Sequence, residues 1–124
     1  MAQFRQQRVS LLKKTATSGL TTDTGDSITE PEPRESIGAM LIVRNLTGTA
    51  PSITGKVQHS ADDASITDAN AAWVDLLTFT AITANGAQFQ KLDANSYKYF
   101  PRLRAQVTRA GTAVTNLDYD LAII

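Results

Sequence analysis

From Ile37 onward the apolar positions recur with a period of two, the signature of strands rather than helices. Met40-Leu-Ile-Val43 is a continuous apolar run, as expected for a strand covered on both faces. Ile53, Gly55, Val57 and His59 alternate with Thr54, Lys56 and Gln58, the pattern of a half-buried strand. Trp73-Val-Asp-Leu-Leu77 and Phe79–Ile82 form the next strand region, and Asn85-Gly86 is a two-residue turn signal. Phe89 and Leu92 follow, then a turn at Asp93-Ala-Asn95. Tyr97, Tyr99 and Pro101 fall on one side of an extended segment, with Lys98 and Phe100 on the other. Leu103, Ala105 and Val107 alternate with Arg102, Arg104, Gln106 and Thr108, and Leu117, Tyr119, Leu121 and Ile123 alternate to the end. Roughly six to eight short strands separated by turns predict an all-β fold, an antiparallel β-sandwich of jelly-roll or Ig-like type. Trp73 is expected in or beside its core.

Residues 1–36 have a different texture. Arg5, Arg8, Lys13 and Lys14 make the first part basic, and Asp23, Asp26, Glu30, Glu32 and Glu35 make the next part acidic around Pro31 and Pro33. Val9, Leu11 and Leu12 are a short apolar cluster, and each proline pushes the residue before it to extended backbone. The expectation is an N-terminal arm with one short strand and an extended linker over 1–36, and a sandwich domain over 37–124. Gly-Thr-Ala occurs at 48–50 and again at 111–113, each time between strands, which suggests two related hairpins.

Composition narrows the function classes. The 12 basic and 12 acidic side chains balance, whereas a chain held to nucleic acid by phosphate contacts normally carries a basic surplus. No window approaches the roughly 18 apolar residues of a membrane-spanning helix, and the polar start lacks the apolar core of a secretory signal, so the chain is expected to be made in the cytoplasm. Without cysteine there are no disulfides, thiolate metal sites or thiol nucleophiles. Alanine and threonine supply about a quarter of the residues, and the branched threonine suits a pleated surface.

Candidate chemistry is sparse. His59 is the only histidine, and its neighbour Ser60 points to the opposite face of a strand, so it reads as a structural residue rather than a general base. Asp62, Asp63 and Asp68 in the Ser60–Ala72 loop lack the spacing of a calcium loop and read as solvated acids. Trp73, Tyr97, Tyr99 and Phe100 suit either a core or a stacking platform for sugars. Arg102, Arg104 and Arg109, with Lys98, make a basic run, and alternation places Arg102 and Arg104 together on one strand face, a surface for an acidic partner or a solvated face. No catalytic residues, cofactor or metal are expected, and the chain reads as a non-enzyme.

Val57-Gln-His-Ser-Ala-Asp-Asp63, Trp73-Val-Asp-Leu76, Tyr99-Phe-Pro-Arg-Leu-Arg-Ala105 and Gly111-Thr112 before a terminal strand together resemble small β-sandwich virion proteins of tailed bacteriophages, the capsid decoration or cement proteins. The resemblance covers roughly residues 37–124. It departs at Pro101, which interrupts the pattern beside Arg102, and at the long Ser60–Trp73 loop. It implies a capsid-surface protein assembled in the host cytoplasm, which binds the major capsid protein lattice and self-associates as a dimer or trimer, with no nucleic-acid or membrane partner. Arg5, Arg8, Val9, Leu11, Leu12, Glu30, Glu32, Arg102 and Arg104 are the expected partner contacts. The alternatives are a tail or head-completion component and a carbohydrate-binding module for host attachment.

Overall fold

The structure, a computed structural model, describes residues 8–30, 37–92 and 99–124. Nine strands form among them: β1 (Val9–Thr17), β2 (Thr22–Thr24), β3 (Ile28–Thr29), β4 (Gly38–Arg44), β5 (Thr49–Ser60), β6 (Val74–Thr78), β7 (Gly86–Lys91), β8 (Arg102–Thr112) and β9 (Leu117–Ile123). One sheet runs β1-β9-β4-β7, and the other runs β2-β8-β5-β6 with β3 also paired to β8. Every pairing is antiparallel. β2 pairs with residues 106–108 of β8 and β3 with residues 102–103, so the two act as one interrupted strand. The chain then crosses between sheets in the order of a jelly roll, eight strands wound as two Greek keys. Of the two expected sandwich types, this strand order selects the jelly roll.

The predicted alternations supply the core. Leu41 and Val43 of β4 and Leu117, Leu121 and Ile123 of β9 face Ile53 and Val57 of β5 and Leu103, Ala105 and Val107 of β8, all essentially without exposure. Gly55 marks where the sheets meet most closely. A Cβ there would lie 3.0 Å from Leu121 Cδ1 and 3.1 Å from Leu41 Cδ2, both on the opposite sheet. Phe79 and Ile82 also enter the core, although only Ile82 makes a β-bridge, to Ile53.

The sandwich does not begin at residue 37. β1 is a full member of the first sheet, and β2 and β3 line an edge of the second. Leu11 and Leu12 are both buried despite being adjacent, because the register to β9 shifts between Ser10 and Leu12. That bulge turns two consecutive side chains inward, where plain alternation would have left one outside. The expected arm and linker, as far as residues 8–30 go, are therefore part of the packed domain.

The repeated Gly-Thr-Ala segments are not two hairpins. They face one another across β5 and β8, with Thr49 opposite Thr112. Gly48 (φ 107°) and Gly111 (φ 113°) share a left-handed backbone, as do Ala50 (φ 48°) and Ala113 (φ 58°). A Cβ at Gly48 would sit 2.3 Å from the Thr112 carbonyl oxygen, so both conformation and space require glycine there.

Candidate interaction surface

The outer faces of the two sheets differ in chemistry, and the register shows how. On the β1-β9-β4-β7 sheet, Ser10, Ala122, Met40 and Phe89 line up in one row across four strands. The next row is Lys13, Asp120, Ile42 and Ala87, and Asp118 pairs with Arg44 beyond it. The β4 apolar run was expected to be covered on both faces; its Leu41 and Val43 are buried, but Met40 and Ile42 remain half-buried on the outside. Phe89 is 50% exposed on β7, which ends the sheet. Its ring lies over Gly38, where a Cβ would come within 2.6 Å of Phe89 Cζ. The glycine thus leaves room for the aromatic ring beside it.

The other outer face is polar. Thr22, Thr108 and Thr54 form one row, and Thr24, Gln106, Lys56 and Thr78 the next. These side chains bond to each other: Thr22 and Thr108 hydroxyls lie 3.0 Å apart, and Gln106 Nε2 donates to Thr24 Oγ1 at 3.1 Å. Arg104 Nε donates to Gln58 Oε1 at 2.8 Å, and Gln58 Nε2 donates to Asp75 Oδ1 at 2.9 Å. Lys56 lies 3.3 Å from the same carboxylate oxygen. That face satisfies its own polar groups, whereas the β4 face leaves apolar area in water.

The residues singled out from the sequence scatter. Leu11 and Leu12 belong to the core and the partly buried Val9 packs against it, so their side chains face the interior of the domain. Arg8 pairs with Asp120 on the outer face of the β1 sheet. Glu30 accepts the Tyr99 hydroxyl at 2.7 Å. Arg102 is only 5% exposed: its guanidinium donates to the carbonyls of Asp63 (2.9 Å) and Ile66 (2.6 Å) and to Asp68 Oδ1 (2.8 Å). It pins the 61–72 loop onto β8 and offers no free surface. Arg5 and Glu32 lie outside the described residues, as do Tyr97, Lys98 and the expected turn at 93–95.

Trp73 lies outside the core, contrary to expectation. It stands on the outer face of β8, with the Arg104 guanidinium 4.3 Å and that of Arg102 5.4 Å from its ring, and its Nε1 donates to the Asp68 carbonyl at 3.0 Å. The reason is the loop, which carries Trp73 onto an arginine-bearing face where cation–π contact substitutes for burial. The described residues of the alternative stacking platform are dispersed. Tyr99 is buried, and Phe100 packs on His59 with ring centroids 5.1 Å apart. His59 Nδ1 accepts the Phe100 N–H at 3.0 Å, and burial lowers the imidazole pKa.

The loop carboxylates do not converge. Asp62 accepts the Ala72 N–H (2.6 Å), Asp63 the Ser65 N–H (3.0 Å), and Asp68 the N–H and hydroxyl of Ser27 (2.9 and 2.5 Å) as well as Arg102. Hydrogen bonds from Ser27, then the Arg102 contact, hold the Asp68 carboxyl down to about 2. A depressed folded pKa means that this latch contributes in full above the ordinary carboxylate value and is lost as pH falls toward 2. Its carboxylate is one-third exposed, so solvent screening keeps the effect small. Asp68→Asn should therefore lower the melting temperature near neutral pH, and the gap to wild type should close on acidification. A gap that stays constant down to about pH 2 would remove the latch.

No protein-family model matches the sequence, and no curated protein matches it. Among solved structures, the fold is similar to a chain in the structure of infectious bursal disease virus Gx strain, with a TM-score of 0.48 and 10% sequence identity. The match covers 94% of this chain and 30% of that one, so the chain spans under a third of the length of its structural neighbour.

Proposed function

We propose that this protein is a non-enzymatic virion structural module of the capsid decoration type, which docks on the major capsid protein lattice through the outer face of the β1-β9-β4-β7 sheet. The observation that carries the reading is the asymmetry between the two faces. One leaves Met40 and Ile42 half-buried and Phe89 half-exposed, and the other closes its polar groups on themselves. A decoration protein works by contact area, and apolar side chains left partly exposed beside charged ones are the kind of surface that protein interfaces cover. The sequence resemblance to tailed-phage decoration proteins points the same way, and jelly rolls serve as capsid domains. Self-association as a dimer or trimer belongs to the same proposal, with neither nucleic acid nor membrane as partner.

A tail or head-completion role predicts different stoichiometry. Quantitative mass spectrometry of purified particles should find copies on the scale of the major capsid subunits, at the capsid surface. A copy number on the scale of a single ring would instead make it a tail or connector component. The sugar-binding alternative has less support, because Arg104 occupies the Trp73 ring and His59 packs on Phe100.

A further inference from the structure

Beside the apolar row, the same face carries a groove of about 360 Å³ between the end of β1 and the β9–β4 ladder. Lys13, Lys14 and Arg44 line it, Ile42 forms its apolar wall, and Asp118 and Asp120 lie within it. The register of β1 to β9 shifts between Lys14 and Thr17, and Ala16 takes a left-handed backbone (φ 48°). This second bulge disrupts the regular ladder where the groove forms.

The two carboxylates are already engaged. Asp120 accepts Arg8 and the Ser10 hydroxyl, and Asp118 accepts the Ala16 N–H (2.8 Å) and Asn45 Nδ2 (2.9 Å). Lys13, Lys14 and Arg44 are exposed and, among the described residues, have no ion-pair partner. Of the acids described in the N-terminal third, Asp23 is held by Arg109 and Tyr119, and Glu30 by Tyr99.

We propose that this groove receives an extended acidic segment of the partner polypeptide, its carboxylates meeting Lys13, Lys14 and Arg44 and an apolar side chain meeting Ile42. The inference rests on the reading of this sheet face as the docking face. A polypeptide suits the groove better than a nucleic acid. The charges of the chain sum to zero, where a chain held by phosphate contacts normally carries a basic surplus, and the same face leaves the apolar Met40 and Phe89 partly exposed beside the groove.

Fluorescence anisotropy with the full chain tests it, using a labelled oligoglutamate and an oligothymidylate of matched length at low ionic strength. The oligoglutamate should bind, and K13E/K14E/R44E should weaken it roughly tenfold or more, whereas K56E on the opposite face should not. No binding by wild type, no loss in the triple variant, or tighter binding of the oligothymidylate would overturn the proposal. Re-decoration of stripped particles separates this inference from the reading beneath it. If Phe89→Asp abolishes particle binding but K13E/K14E/R44E binds particles like wild type, the docking face stands and the acidic segment falls. If particle binding survives Phe89→Asp, the docking reading falls, and the oligoglutamate titration alone decides the groove.

Discussion

A chain shortened to begin at residue 19 should fail to fold cooperatively. β1 is an edge strand of its sheet, yet its register with β9 runs from Val9–Ile123 to Thr17–Leu117, and Leu11 and Leu12 lie in the core. Truncating a buried leucine to alanine costs about 2–5 kcal/mol, and the deletion removes two such side chains with the ladder that places them. Domains of this size are stable by about 5–15 kcal/mol in all, so the loss is comparable to the whole. The deletion also takes Ser18, whose carbonyl accepts Arg109 Nη1 at 2.7 Å. Urea titration followed by circular dichroism should show no cooperative transition. A sigmoidal transition with a slope suited to a folded domain of the remaining length would mean that the N-terminal segment is an appendage after all.

Arg109→Met should be the most damaging single polar substitution. The arginine side chain is 5% exposed and its partner Asp23 13%, joined by Nε–Oδ2 at 3.1 Å and Nη2–Oδ1 at 3.2 Å. Nη1 also donates to the carbonyls of Ser18 and Gly19, and the Tyr119 hydroxyl donates to Asp23. Burial first, then the hydrogen bond to Asp23, pushes the Tyr119 pKa well above the ordinary phenol value, so the tyrosine stays a donor. Removing the guanidinium leaves a carboxylate buried with one donor and strands two backbone carbonyls. Breaking a buried pair in this way costs about 3–5 kcal/mol. Arg109→Lys should recover only part of that, because an ammonium cannot make the paired contact with the carboxylate. The double variant D23N/R109M should lose less than the sum of the two singles, since each removes the other's unpaired group. An R109M unfolding free energy within about 1 kcal/mol of wild type would contradict this role for the network.

The strands of the C-terminal two-thirds were legible because period-two alternation is a local signal. Leu103–Val107 and Leu117–Ile123 bury the predicted side chains. The N-terminal third was harder to read because a bulge hides alternation: Leu11 and Leu12 look like a short cluster until one residue is taken out of register. Trp73 misled for a related reason, since the loop that carries it is ordered by Arg102 and Asp68, which are 34 residues apart in sequence. The apolar outer face was half visible. The Met40–Val43 run announced a strand with apolar side chains on both faces, but only the register to β7 and β9 sets Met40 beside Phe89 and Ala122. Lys13, Lys14 and Arg44 come from β1 and β4, which are separated by β9, and sequence spacing carries no trace of that neighbourhood.

The most direct test of the docking face is a matched pair of surface variants measured for binding to stripped particles. Phe89→Asp places a charge in the apolar row of the β1-β9-β4-β7 sheet, and Thr108→Asp places one on the threonine face of the other sheet. Both positions are exposed, so both variants should fold, as a melting curve would verify. Phe89→Asp should lose particle binding, while Thr108→Asp binds like wild type. Loss confined to Thr108→Asp, or equal binding by both, would contradict the assignment of that face.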